Sequence, residues 1–203
     1  MPLRALALNC TLKASPAPSS TDRMIGVLAD ALAAHHIETD TIRVVDHDVR
    51  PGVESDEGLG DGWPAIRERI VGSDILIIAT PIWMGAPSSV AKRVAERLDA
   101  FLGETDDLGR TPAYGKVALV AVVGNEDGAH HTSAELYQWL GDVGFTIPPN
   151  ATAYWVGEAM GSSDFADLDE VPEAVTSAAA QTASNAAHLA ALLEAEQYPG
   201  VEG

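Results

Sequence analysis

Two stretches, "DILIIA" at 74–79 and "KVALVAVV" at 116–123, are almost unbroken aliphatic residues. A strand with one wet face alternates apolar and polar side chains, so runs like these belong to strands covered on both faces. Three shorter runs, "LRALAL" at 3–8, "TIRVV" at 41–45 and "TAYWV" at 152–156, read as further strands. Helical spacing of apolar residues fills the gaps between them. It predicts helices over 20–35 (Met24, Val27, Leu28, Ala31, Leu32), 63–71, 88–102 (Val90, Val94, Leu98, Phe101), 131–142 (Leu136, Trp139, Leu140) and 171–195. Ser20 or Thr21 suits the first helix as a cap, and Pro64 suits the first turn of the second. Five strands alternating with five helices predict one α/β domain over residues 1–203, a parallel sheet with helices on both faces. The Ala-rich last helix has two readings, packing on the sheet or pairing with a second subunit.

The formal charge is -18, from 12 Lys and Arg against 30 Asp and Glu. Such a surface repels nucleic acids and anionic membranes, so neither is an expected partner. No run is long enough to span a membrane, and the apolar start is too short for a signal peptide, which predicts a cytoplasmic protein. Cys10 is the only cysteine, which excludes an internal disulfide and a cysteine-only zinc site. The charge is uneven: the first 21 residues contain Arg4 and Lys13 and no acid.

Ligands of open parallel sheets bind beyond the carboxyl ends of the strands. Three loops there are unusual: "NCTLKASPAPSST", "TPIWMGAPSS" and "GNEDGAHHTS". The first combines the hydroxyls of Thr11, Ser15, Ser19, Ser20 and Thr21 and the Lys13 ammonium with a helix N-terminus, a setting that favours a phosphate. Those hydroxyls could also serve only as helix caps. Neither a Walker loop nor G-x-G-x-x-G is present, and "GLGDG" at 58–62 lies in an acidic stretch. Cys10 has no arginine before Arg23, which argues against a phosphatase nucleophile.

Taken together, "LNCTLKASPAPSST", "ATPIWMGAPSSVAKRVAERLDAF" and "VVGNEDGAHH" resemble the flavodoxin-like NAD(P)H-dependent FMN reductases and quinone reductases. The resemblance implies a sheet of order 2-1-3-4-5 and noncovalent FMN. Thr11, Lys13, Ser19, Ser20 and Thr21 would hold its phosphate. Pro81, Ile82, Trp83, Met84 and Gly85 would line the ring and offer backbone groups to its polar edge. Gly124, Asn125, Glu126, Asp127 and Gly128 would close the other side, with His131 near flavin or substrate or simply starting a helix. Cys10 stands where the family has Gly, Lys13 where Arg is common, and Ser20 where it has Asn. Trp83 then covers a flat ring; its other reading is a plug in the core or between subunits.

The implied activity is NAD(P)H:acceptor oxidoreduction, from NADH or NADPH through bound FMN to a quinone, nitro or azo compound or free flavin, in a homodimer or homotetramer. An electron-carrier flavodoxin is the alternative. No catalytic acid or base is legible, and no metal site is expected: Asp46, His47 and Asp48 read as a solvated loop. Lys92, Arg93 and Arg97 are open to two readings, a solvated helix face or a contact for the NADPH 2′-phosphate.

Overall fold

The computed structural model describes residues 2–201. Its strands are β1 (Arg4–Asn9), β2 (Glu38–Arg43), β3 (Ile75–Trp83), β4 (Ala86–Pro87), β5 (Val117–Gly124) and β6 (Thr152–Val156). The helices are α1 (Ser20–Ala33), α2 (Trp63–Val71), α3 (Ser89–Leu98), α4 (Ala129–Asp142) and α5 (Glu173–Ala195). The main sheet runs β2-β1-β3-β5-β6, all parallel. Leaving aside the two-residue β4, an antiparallel arm on β3, this is the expected flavodoxin-like order.

Alternation along the buried strands feeds two cores. Leu6 and Leu8 of β1, Leu76 and Ile78 of β3, and Val120 and Val122 of β5 share one core with α2, α3 and α4. Ala5 and Ala7, Ile75 and Ile77, and Leu119 and Ala121 share the other with α1 and α5. The second face is rich in alanine, and α5 matches it: Ala179, Ala183 and Ala186 are fully buried. Small side chains on both surfaces let helix and sheet approach closely. The Ala-rich helix thus packs one face on the sheet.

Several boundaries differ from the sequence expectation. Strand β2 starts at Glu38 and stops at Arg43, and Val44–Asp46 is a 3-10 turn. An edge strand buries little, here Ile42 alone among its residues, so its polar first half carries no apolar signal. Helix α3 ends at Leu98, and Asp99–Gly103 tightens into a 3-10 turn that still buries Phe101.

The basic cluster on α3 divides: Lys92 and Arg93 are exposed, and Arg97 is buried. The Arg97 guanidinium has no solvent exposure and pairs with the equally buried Asp61 at 2.7 Å. It also donates to the carbonyls of Glu54 and Arg50, while Arg93 donates to Val49. Lys92 lies 4.6 Å from the Trp139 ring centroid. The acidic 46–62 stretch is therefore pinned to α3. Burial alone would raise the Asp61 carboxyl; hydrogen bonds from Arg97 and from the Glu57, Trp63 and Arg50 amides outweigh it and hold it well below the usual range.

Two predictions follow from this packing. Asp61→Asn leaves Arg97 buried without its counter-ion and should cost about 3–5 kcal/mol in urea unfolding. Because the folded carboxyl titrates below its unfolded value of about 3.9, its contribution is complete above about pH 4 and fades below it. The variant's Tm should therefore fall less steeply than that of the parent chain as pH drops below 4. Ala183→Leu should overpack the α5 face and cost about 1–3 kcal/mol, measured the same way.

Candidate functional site

Strands β1, β3 and β5 deliver their following loops to one edge of the sheet. The connection after β1 goes to one face and that after β3 to the other, so a crevice opens between them. The open space there, mouth included, is about 630 Å³.

The loop after β1 forms one end. Strand β1 ends on buried Asn9, whose amide donates to the Asp22 carboxylate while its carbonyl accepts the Thr11 N–H at 2.9 Å. The Thr11 hydroxyl accepts the Lys13 N–H, and Ser19 caps α1 by accepting the Asp22 N–H at 3.4 Å. Arg43 pairs with Asp22 and donates to the carbonyls of Lys13 and Ala17, so the Asp22 charge is neutralised. The Asp46 carboxylate takes the Ser15 hydroxyl at 2.5 Å and its N–H at 2.8 Å, and these bonds lower its pKa. Asp46 is thus a brace for the loop. Thr11, Ser19 and Thr21 are buried along the cavity and Lys13 is exposed at its rim. The Ser20 and Thr21 amides, in the first helical turn, have no i−4 carbonyl inside the helix.

Cys10 is fully buried and its thiol is pushed far up by desolvation, so it supplies no thiolate. Its carbonyl instead accepts the Ser88 hydroxyl at 2.6 Å. Ser88 also caps α3 through the Ala91 N–H and donates its own N–H to Thr80. One buried serine ties the first two loops together.

The second wall is the end of β3. Pro81, Ile82 and Trp83 line the cavity, and Trp83 is 53% exposed, so it plugs no core. Trp83 pairs with Ala86 across a two-residue hairpin in which Met84 (φ 55) and Gly85 (φ 74) are both left-handed. That is the type I′ geometry, which favours Asn-Gly. Methionine in a left-handed backbone costs roughly 1–2 kcal/mol. The Glu126 carboxylate offsets part of this by accepting the Met84 and Gly85 N–H groups, both at 3.2 Å. Backbone contact adds to the clasp: a Cβ on Gly128 (φ 128) would lie 2.6 Å from the Gly85 carbonyl oxygen. The two amides that the resemblance offers to a ring edge are engaged by Glu126 in this structure.

Gly124 and Asn125 complete the third wall. Asp127 and Gly128 stand behind them in the clasp, apart from the lining. His131 is also apart from it, exposed on α4 and 2.7 Å from Glu135. A fourth wall went unread in the sequence: Trp155, Asp164 and Phe165 line the cavity too. Arg23 donates to the carbonyls of Phe165, Ala166 and Leu168, and the Ser20 hydroxyl accepts the Ala166 N–H at 3.1 Å. Asp164 and Asp167 form a reciprocal capping box around fully buried Phe165. "SSDFAD" is a cap signature, and it follows the last strand at the same sheet edge. No group of three or more metal-ligating side chains occurs among the described residues, and no helix among them is long and apolar enough to cross a membrane.

The sequence matches the family model described as NADPH-dependent FMN reductase over residues 3–160. A Mycobacterium bovis protein named divalent metal cation transporter MntH is 41% identical over 169 residues, 81% of this chain and 25% of that protein. An 8-demethyl-8-aminoriboflavin-5'-phosphate synthase of Streptomyces davaonensis is 39% identical over 168 residues, 78% of this chain and 65% of that one. The chain thus spans a quarter to just under two thirds of these relatives. Among solved structures, RosB with bound 8-demethyl-8-formylriboflavin-5'-phosphate superposes with a TM-score of 0.88 at 34% identity, covering 97% of this chain and 82% of that one. With its family match spanning all three predicted loops, the chain belongs to the NADPH-dependent FMN reductase family and has its flavodoxin-like fold.

Proposed function

We propose that the cavity holds FMN noncovalently and that the chain catalyses NAD(P)H-dependent reduction of a small acceptor: a quinone, a nitro or azo compound, or free flavin. The observation that carries this reading is the crevice itself, with buried hydroxyls at a helix N-terminus at one end and half-exposed Trp83 at the other. A phosphate dianion needs converging donors and no unpaired acid beside them. Thr11, Ser19, Thr21 and the first-turn amides supply the donors, and Arg43 neutralises Asp22. Ser20 accepts one bond from Ala166 and keeps its own proton to donate. Pro81, Ile82 and Trp83 offer a largely apolar wall, and Ile82 packs tightly against Gly124, where a Cβ would come within 3.0 Å of it.

Bound FMN supplies the two-electron chemistry. The chain's task is to bind it, orient it and leave one face open. With a quinone the balance is NAD(P)H, a proton and quinone giving NAD(P)+ and hydroquinone.

A second reading treats a flavin phosphate as the substrate. It is favoured by the synthase named in the Streptomyces davaonensis relative and by the formylated flavin bound in RosB, the latter at a TM-score of 0.88.

The deciding measurement is the visible spectrum of protein mixed with FMN, freed of excess and given NADH or NADPH without oxygen. Retained bands that bleach support the reductase. Retained bands that bleach only through a partner reductase would make the chain an electron carrier. A changed mass of the flavin recovered after aerobic incubation would favour the second reading. Thr21→Ala should weaken FMN about 10- to 150-fold, as loss of one buried charge-assisted hydrogen bond does. Lys13→Ala, at an exposed ammonium, should weaken it only about 2- to 5-fold. Unchanged affinity in Thr21→Ala would remove the phosphate from this loop.

A further inference from the structure

The fourth wall of the cavity is the part that the family does not supply. The family match ends at residue 160, and Asp164 and Phe165, which both line the cavity, lie beyond it. The place of this wall along the crevice follows from its ties. At one end the Ala166 N–H reaches the Ser20 hydroxyl at 3.1 Å, beside the phosphate loop. At the other end Trp155 of β6 is the register partner of Val123 of β5, and both line the cavity next to Gly124. The Phe165 and Trp155 rings are 5.4 Å apart between centroids. Asp164 and Phe165 therefore stand between the hydroxyl end of the crevice and its third wall.

The two side chains differ in what the fold asks of them. Phe165 is fully buried, packed against Trp155 and under the Arg23 guanidinium, 5.3 Å from its ring centroid. Asp164 is exposed, and its carboxylate accepts the Asp167 N–H in the capping box. No cation pairs with it among the described residues. An ionised carboxylate has about four lone-pair sites, so most of its accepting capacity is open. The segment that carries this charge is tied down by Arg23 on the carbonyls of Phe165, Ala166 and Leu168.

FMN has three parts in line: an anionic phosphate, a polyhydroxyl ribityl chain and a flat ring. A free carboxylate repels the first and has no donor to meet on the ring's apolar faces. It suits the middle part, because ionised carboxylates make strong hydrogen bonds to O–H donors. Acids read ribose hydroxyls in dinucleotide-binding folds by the same chemistry. Resting on the FMN reading above, we propose that Asp164 recognises the ribityl hydroxyls and makes the site selective for flavins with a hydroxylated side chain. Phe165 and Trp155 set its distance from the ring end, and Ser20 sets its distance from the phosphate. The contact is the same whether the flavin is cofactor or substrate, since a flavin phosphate carries this chain in both readings.

The test uses the full chain, FMN, and an analogue that keeps the ring and terminal phosphate but has a plain pentyl chain in place of ribityl. Both dissociation constants are read by flavin fluorescence titration. The parent chain should prefer FMN, and Asp164→Ala should shrink that preference about 5- to 10-fold, as expected for hydrogen bonds lost from an exposed carboxylate. Removing a negative charge alters the affinity for both phosphates alike, so the ratio isolates the hydroxyl contact. Asp164→Asn keeps a cap and an accepting oxygen and should retain part of the preference. Asp167→Ala removes the other half of the capping box from outside the cavity lining, so Tm should fall while the ratio stays at the parent value. No preference in the parent chain, or an unchanged ratio in Asp164→Ala, overturns the proposal. Equal loss of the ratio in Asp164→Ala and Asp167→Ala overturns it too, because Asp164 is then only a structural cap. If the parent chain binds neither flavin, the FMN reading fails and the proposal falls with it. Binding with a ratio indifferent to Asp164 sinks the proposal alone.

Discussion

Strand β3 hydrogen-bonds to β1 on one side and β5 on the other, and every wall of the cavity takes its position from that arrangement. A central parallel strand must be covered on both faces, which sends the chain alternately to one side of the sheet and then the other. The crevice is the consequence, because two neighbouring loops leave the same edge in opposite directions. Ser88 then fixes the spacing: its hydroxyl reaches the Cys10 carbonyl and the Ala91 amide, and its own amide reaches Thr80. A buried polar group is costly unless satisfied, and here its satisfaction joins β1, β3 and α3.

Acidity and anion binding coexist because the basic residues are almost all committed. Arg97 is consumed by Asp61 and two carbonyls, Arg43 by Asp22 and the loop carbonyls, and Arg23 by the segment after β6. Each guanidinium fixes a loop that has few apolar side chains to bury. Only Lys13 stands exposed at the cavity among them. Local donors at a helix terminus, rather than overall charge, then decide whether a phosphate is welcome, since screening confines the wider field to about 8 Å at physiological ionic strength.

Much of this was legible in the residues. The aliphatic runs of β3 and β5 announced buried strands, and the three loops that follow β1, β3 and β5 contained eleven of the cavity-lining residues. Edge strand β2 was misplaced because burial, the source of the pattern, is nearly absent there. Arg97 was misread because spacing along one helix cannot reveal a carboxylate that arrives from a loop 36 positions away. Trp155, Asp164 and Phe165 were missed for a related reason. Trp155 arrives through the pairing of β6 with β5, and Phe165 is held by Arg23, 142 positions distant, so no local pattern encodes either.

The left-handed Met84 shows the limit of local reading from the other direction. Propensity argues against Met84 at the tip of a type I′ hairpin, and a sequence designed for stability alone would place Asn there. The structure tolerates it because Glu126 gathers both turn amides and Gly128 allows the two loops to touch, so the cost at one residue is offset by groups forty positions on. Sequences are consistent across levels except where something other than stability is served. The conflict here directly follows Trp83 of the crevice wall, and it is answered by the loop that supplies Gly124 and Asn125 to the facing wall. A misfit with its own dedicated support is a local cost that tertiary contacts carry, here the Glu126 carboxylate on both turn amides.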